Sequence, residues 1–351
     1  MILGFIIPFL LIILSSYLLW KSCDNFDRYS KIIGYKLTEG VRGATINAIG
    51  SSLPEFFTAF FFLIILKDVS GFSSGLATIL GSAIFNILLI PAVVIFILIK
   101  NNHNLKINKK LILRDAGILL VSQIFLLYSI QDGVISLLDS FVLFLIYVAY
   151  LLVLSRGGLF DKDEHKENHR KIRKGAWGQI LVSIVKISLW CLLLVYSCEI
   201  LFTGHYPEFL SFLNFSSDSI GFENMMYVAL IFAASASSVP DMFLSAFDAK
   251  NGYVDDSLAN PLASNLFDIC IAFGVPLFLY NLFNGEIRFD DAVNLTTFYD
   301  IHSLTVLMIV ITILFLLSVM SSKKYTILHA VFFVTLFIGF IYSAFNLDLI
   351  Y

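Results

Sequence analysis

The chain has 351 residues, 58% of them hydrophobic and only 14% charged, with a formal net charge of −3 and a mean hydropathy of +0.87. Charged residues approach a quarter of a soluble globular chain, so this composition excludes a soluble enzyme, and it offers no basic surface for nucleic acid. Apolar runs of about 18 or more residues recur from end to end, the length at which a helix crosses a bilayer.

The first run, ILGFIIPFLLIILSSYLLW, has neither a basic leading segment nor a small-residue cleavage site, and it reads as a retained helix rather than a signal peptide. Hydropathy and helix breakers then predict ten crossings, near 2–20, 38–66, 72–99, 111–130, 134–155, 177–201, 225–248, 255–282, 300–320 and 325–348. The second, third, seventh and eighth carry polar residues and clusters of small ones. No connection is long enough for a separate globular domain, so function must reside within the membrane region.

Basic residues set the orientation. With the N-terminus outside, inner loops hold 20 Lys and Arg, outer loops hold Lys67 and Arg288, and Lys186 falls within the sixth crossing. The central loop RGGLFDKDEHKENHRKIRKG carries His165 and His169, but interleaved Asp161, Asp163, Glu164 and Glu167 mark a solvated cytoplasmic linker rather than a metal site. It separates residues 1–155, a first five-helix repeat, from 177–351, a second, with 156–176 between them. An odd number of crossings per half inverts one half against the other, so the predicted fold is an all-α polytopic membrane protein of two inverted-topology repeats. Cys23, Cys191, Cys198 and Cys270 lack metal-ligand spacing and read as small buried apolar residues.

The halves repeat one another. AIGSSLPEFFTAF followed by LATILGSAIFNIL in the first matches ASASSVPDMFLSAF followed by LANPLASNLFDIC in the second. Ser52, Pro54, Glu55, Ser82 and Asn86 thereby correspond to Ser238, Pro240, Asp241, Ser264 and Asp268. A carboxylate at bilayer depth costs at least about 2.5–3.5 kcal/mol and faces a bundle interior with a partner. Each proline removes a backbone donor, freeing carbonyls near Ala48 and Ile49, and near Ser235 and Ala236. Hydroxyls, carbonyls and carboxylates together make an all-oxygen shell, suited to hard cations such as Na⁺ and Ca²⁺. Ser52 with Glu55, and Ser82 with Asn86, share helix faces, as do Ser238 with Asp241 and Ser264 with Asp268. Gly75, Ala77, Gly81 and Ala83, with Ala259 and Ala263, permit close helix approach, so four helices are expected around one midplane cavity. Asp268 is open between ion ligand, protonated hydrogen-bond partner and supporting group, whereas Asp248, Asp255 and Asp256 read as a solvated turn.

GSSLPEFFTAF with GSAIFN, and SASSVPDMFLSAF with ASNLFD, resemble the two alpha-repeats of the cation/calcium exchanger superfamily, especially sodium/calcium exchangers. The resemblance covers nearly the whole chain. It implies that Ser52, Glu55, Ser82, Asn86, Ser238, Asp241, Ser264 and Asp268 line ion sites, joined by the backbone near Ala48 and Ala234 and hydroxyls near Ser51 and Ser237. It further implies electrogenic exchange of three Na⁺ for one Ca²⁺ by alternating access, with the first and sixth crossings sliding across the ion-binding core. Departures from the family pattern are Ala77-Thr78 and Ala259-Asn260 for Gly-Asn, Ala83 for Asn, and Ala263 for Gly; they bear on ion selectivity and stoichiometry.

The expected activity is therefore Na⁺/Ca²⁺ antiport by a monomeric transport unit in a plasma or inner membrane, without enzymatic chemistry or a cofactor. H⁺/Ca²⁺ exchange and K⁺-dependent exchange stand beside it, because carboxylates carry protons and Asp268 lies next to the site. A passive cation channel and an intramembrane hydrolase built on Glu55 and Asp241 are further alternatives. The hydrolase leaves the serines, prolines, Asn86 and Asp268 without a role.

Overall fold

The computed structural model describes residues 2–33, 45–46, 48–103, 105–156, 170–204, 224–289 and 292–345. The chain is almost wholly helical, as its uninterrupted apolar runs require: in a bilayer every backbone polar group must be satisfied within the helix or by protein around it. Among the described residues nine helical segments are long and apolar enough to cross a membrane, and Leu53–Leu66 is a shorter apolar helix. With that shorter helix they account for the ten predicted crossings. The first part of the second crossing, before Ala48, and most of the central linker with His165 and His169 lie outside the described residues.

The elements run α1 (Ile2–Ile33), α2 (Ala48–Ser51), α3 (Leu53–Leu66), α4 (Asp68–Ile84), α5 (Ile90–Lys100), α6 (Lys109–Ile130) and α7 (Leu137–Arg156) in the first half. The second half has α8 (Arg170–Thr203), α9 (Met225–Val228), α10 (Ala234–Ser237), α11 (Val239–Lys250), α12 (Val254–Phe267), α13 (Gly274–Asn284), α14 (Ala292–Ser321) and α15 (Ile327–Phe345). Both α1 and α8 outrun their predicted spans, 2–20 and 177–201. Hydropathy reports the apolar slab, while the helix continues into water through residues such as Asp24, Asp27 and Arg28.

Three crossings are joined from shorter helices by π-helical turns, at Phe85–Leu89, Ala229–Ala233 and Asp268–Phe273. Such turns leave the regular hydrogen-bond ladder and recur at functional sites. Asn86 and Asp268, paired by the sequence repeat, both lie in these turns.

Packing is crosswise between the halves. α1 lies along α8, and also on α10 and α11 of the second half, while α8 packs on α3 of the first. Close approach between α4 and the segment around α10 depends on Gly81. A Cβ there would run into the Leu230 carbonyl oxygen and stand 2.6 Å from the Ala234 methyl. At the matching place in the other half Ala263 is accommodated, buried in the core.

Connections are tied at both ends of the bundle. β1 (Val134–Ile135) pairs antiparallel with β2 (Ile287–Arg288) at one end. A bridge between Lys106 and Lys324 joins two other connections at the opposite end. The α3–α4 turn places Lys67 and Asp68 at φ of 58° and 41°. Tyr280 holds it: the Asp68 N–H donates to the phenol oxygen at 2.9 Å, and the phenol donates to Asp68 Oδ1 at 2.8 Å.

Candidate cation-binding site

The site begins with two broken helices. α2 stops at Ser51, Ser52 has φ −90° and ψ 0°, and α3 resumes with Pro54 in its first turn. The second half does the same: α10 stops at Ser237, Ser238 intervenes, and α11 resumes with Pro240 in its first turn. Proline is tolerated there because the first turn has no partner for its missing N–H. Glu55 and Asp241 thus sit in the first turns of α3 and α11, where the positive ends of both helix dipoles favour negative charge.

Expectations about the freed carbonyls divide. Ala48 O is engaged by the Ser52 N–H at 3.0 Å, and Ala234 O by the Ser238 N–H at 3.0 Å. Ser51 Oγ also approaches Ala48 O, and Ser237 Oγ approaches Ala234 O, at 3.4 and 3.2 Å. A carbonyl has two lone pairs, so these donors, with the Ser238 hydroxyl 2.7 Å from Ala234 O, occupy both carbonyls in this conformation. Ala236 O does find a partner from outside the helix, the Ser16 hydroxyl of α1 at 3.3 Å. Pro54 O accepts from the Cys191 thiol of α8 at 3.4 Å.

All twelve residues expected to line the ion sites are buried, and their contacts run both within each repeat and across the boundary between them. Ser82 donates to Glu55 Oε1 at 3.1 Å, and the Ser238 hydroxyl stands 2.8 Å from Ser82 Oγ and 2.7 Å from Ala234 O. Asn86 donates to Asp241 Oδ2 at 3.0 Å. Ser264 donates to Asp241 Oδ1 at 2.9 Å, and Ser51 lies 3.3 Å from Ser264. The first half thus completes the shell of Asp241 through Asn86, while Glu55 is held by Ser82 of its own half, which Ser238 of the second half joins.

Several oxygens in this shell have no hydrogen-bond partner: Ser52 Oγ, Glu55 Oε2, Asn86 Oδ1 and both oxygens of Asp268. Asp268 is close enough to Glu55 and Asp241 to be repelled by both, and it has the Ser52 hydroxyl nearby. Buried polar atoms are nearly always paired, because an unpaired one costs its full desolvation. Five such oxygens around three carboxyl groups are what a hard cation would satisfy. Among the described residues no three His, Cys, Asp or Glu side chains converge closely enough to hold a metal alone. A cation here would draw on hydroxyl and amide oxygens as well as carboxylates.

Asn260 extends the shell beyond the repeated motif. Its amide reaches Asp241 Oδ1 at 3.4 Å and Ser245 Oγ at 3.2 Å, and Ser51 approaches its carbonyl oxygen at 3.5 Å. Its place four residues before Ser264, on the same face of α12, was the available signal.

A cavity of about 410 Å³ leads toward this shell, lined by Trp20, Cys23, Asp27, Ser51, Pro240 and Phe243 among others. Its walls come from α1 and α11, and Ser51 is the polar-shell residue that it reaches.

The sodium/calcium exchanger protein family model matches residues 1–156 and 176–346, both halves and every element of the site. The chain belongs to this family. Among curated proteins, this family member is 36% identical over 142 residues to sodium/potassium/calcium exchanger 3 of Rattus norvegicus, covering 39% of the chain and 22% of that relative. It is 33% identical over 156 residues to sodium/potassium/calcium exchanger 5 of Homo sapiens, covering 43% and 29%. The matched stretch is thus well under half of either relative's length. By structure it resembles the sodium-calcium exchanger NCX_Mj soaked with Na⁺ and Sr²⁺, with a TM-score of 0.62, 20% identity, and 96% and 98% of the two chains covered. It also resembles the H⁺/Ca²⁺ exchanger CAX, with a TM-score of 0.61, 12% identity, and 96% and 87% covered. These structural likenesses establish the shared fold, and with it the inverted-repeat architecture expected from the sequence.

Proposed function

We propose that this protein is a secondary antiporter that exchanges Na⁺ for Ca²⁺ at one midplane site, by alternating access. The observation that carries this reading is the interlocked shell: Asp241 takes Asn86 from the opposite repeat, Glu55 is held by Ser82, which the opposite repeat's Ser238 joins, and five oxygens of the shell are buried without hydrogen-bond partners. Ser52, Ser82, Asn86, Ser238, Ser264 and Asp268 supply side-chain oxygens, Ser51 and Ser237 supply hydroxyls, and the Ala48 and Ala234 carbonyls join when the serine hydroxyls that cap them turn away. Two carboxylates from opposite repeats neutralise one divalent ion, or share two or more monovalent ions at overlapping positions.

The cavity beside α1 is the access route in this conformation. Charge asymmetry assigns its mouth, near Asp24 and Arg28, to the cytoplasm, which puts the N-terminus outside and the central linker inside. Opening to the other face requires α1 and α8, which pack along one another, to shift against the core. In that motion the Ser16–Ala236 and Cys191–Pro54 bonds must be remade.

The test is Ca²⁺ uptake into proteoliposomes under an outward Na⁺ gradient, with the pH gradient collapsed by an ionophore. Na⁺-driven uptake is expected; uptake driven only by a pH gradient would replace this reading with H⁺/Ca²⁺ exchange. A second reading, K⁺-dependent Na⁺/Ca²⁺ exchange, is favoured by Asp268, whose two oxygens are buried without a partner, and by the names of the curated relatives. Removing K⁺ from both sides in the same assay separates the two.

A further inference from the structure

Away from the ion shell, the α5–α6 and α14–α15 connections assemble a cluster of lysines at a single place. The Lys106–Lys324 bridge is antiparallel, the Ile107 N–H donates to Lys323 O at 3.2 Å, and the Tyr325 N–H donates to Leu105 O at 2.8 Å. Lys106 and Lys324 are therefore opposite one another, and Lys323, Lys109 and Lys110 follow within a few residues. Beside them is a pocket of about 520 Å³ lined by Lys106, Asn108, Lys109, Lys110, Val254 and Asp255.

This arrangement costs stability in two ways. Like charges directly opposite on paired strands repel. Lys109 and Lys110 also sit in the first turn of α6, which holds no acidic residue, where the helix dipole disfavours positive charge. Asp255 in the pocket wall offsets part of this charge. Asp255 is bound by the Asn108 amide at 2.7 Å, and the Lys109 ammonium donates to Met320 O at 2.6 Å. Lys110, Lys323 and Lys324 are exposed and form no ion pair with an acidic side chain among the described residues.

The neighbouring surface is apolar. Leu113 on the second turn of α6, and Ile327 and Leu328 on the first turn of α15, are all exposed. Four membrane helices end or begin here, which puts the lysines at headgroup level and the leucines at the start of the acyl region. We infer that the rim of this pocket is a seat for an anionic phospholipid, its phosphate held between Lys110 of the pocket wall and Lys323 and Lys324 of the connection paired beside it, and its chains lying along Leu113 and Leu328. Each lysine near the surface contributes attraction to anionic lipid that ordinary positive-inside loops share; three exposed lysines without an ion pair among the described residues, gathered beside a basic helix start, are what mark this cluster as built for an anion. The bound headgroup would join the two connections and brace the α11–α12 turn at Val254 and Asp255.

The test is thermal unfolding of the purified full chain in mixed micelles with phosphatidylcholine alone, with added phosphatidic acid, or with soluble pyrophosphate. Phosphatidic acid is expected to raise the unfolding temperature in a saturable way, with phosphatidylcholine and pyrophosphate having no such effect. A Lys110→Gln, Lys323→Gln, Lys324→Gln variant should need at least about tenfold more phosphatidic acid for the same rise, and Lys110→Gln alone should need severalfold more. Equal titrations of wild type and both variants would overturn the proposal. So would an equal shift with pyrophosphate, which would make the ligand a soluble anion. Should the triple variant fail to fold, the single variant and the wild-type lipid comparison still decide the matter.

Discussion

Glu55 and Asp241 carry the charge of the site, yet they are held differently. Asp241 accepts from Asn86, Ser264 and Asn260, whereas one Glu55 oxygen has Ser82 and the other has no partner. Both Glu55→Gln and Asp241→Asn keep side-chain volume and remove one charge. Each is expected to lower Ca²⁺ flux to the protein-free background while leaving membrane insertion intact, checked by isotope uptake in proteoliposomes. Normal flux in either variant would remove that residue from the site. Asp268→Asn should instead change how Ca²⁺ flux depends on K⁺ and H⁺, read by varying each ion separately; an unaltered ion profile would contradict its placement. All these residues were legible in the sequence, because two copies of one motif pointed at the same positions. Asn260 was signalled only by its spacing to Ser264, and Ser16 and Cys191 were not legible at all, since their partners are set by tertiary contacts that no local pattern encodes.

At the level of elements, the breaks matter more than the helices. Ser52 and Ser238 interrupt their crossings just ahead of Pro54 and Pro240, and the π-turns re-aim Asn86 and Asp268. The prolines announced the first kind of break. The π-turns had no signature, because Phe-Asn-Ile and Phe-Asp-Ile fit an ordinary apolar helix equally well. Gly81 makes the sharpest prediction here. Gly81→Ala would force its new methyl into the Leu230 carbonyl and the Ala234 methyl, and overpacking of this kind costs about 1–3 kcal/mol. A lowered unfolding temperature in detergent is expected, together with reduced flux, because Ala234 is part of the proposed site. A variant that melts like wild type would show that the contact can relax.

Across the whole molecule, the tied connections agree with an even number of crossings between their partners. Val134 pairs with Arg288 at one end of the bundle, and Lys106 pairs with Lys324 at the other. Miscounting by one between the partners would have placed them on opposite faces, whichever face is the inner one. The cavity beside α1 turns this sidedness into a measurement. Cys23, buried but 4% exposed, lines it, while Cys191, Cys198 and Cys270 are fully enclosed. A small cationic thiol reagent applied from the inner face should therefore block flux, Ca²⁺ should protect, and Cys23→Ala should be insensitive. Block from the outer face alone would reverse the assigned orientation.

The Ser82–Ser238 contact has a further consequence. Three short contacts link Glu55 Oε1, Ser82 Oγ, Ser238 Oγ and Ala234 O in series, at 3.1, 2.8 and 2.7 Å. The two serines own two protons between them. With Glu55 ionised, one of the three contacts must set lone pair against lone pair, so the series is short by one unit of positive charge. A proton on the carboxyl would supply it, and so would a metal ion drawn against the oxygens; the two then compete for one place. Acidification is accordingly expected to raise the Ca²⁺ concentration needed for half-maximal flux while leaving the maximal rate largely unchanged, and Ser82→Ala should weaken that competition.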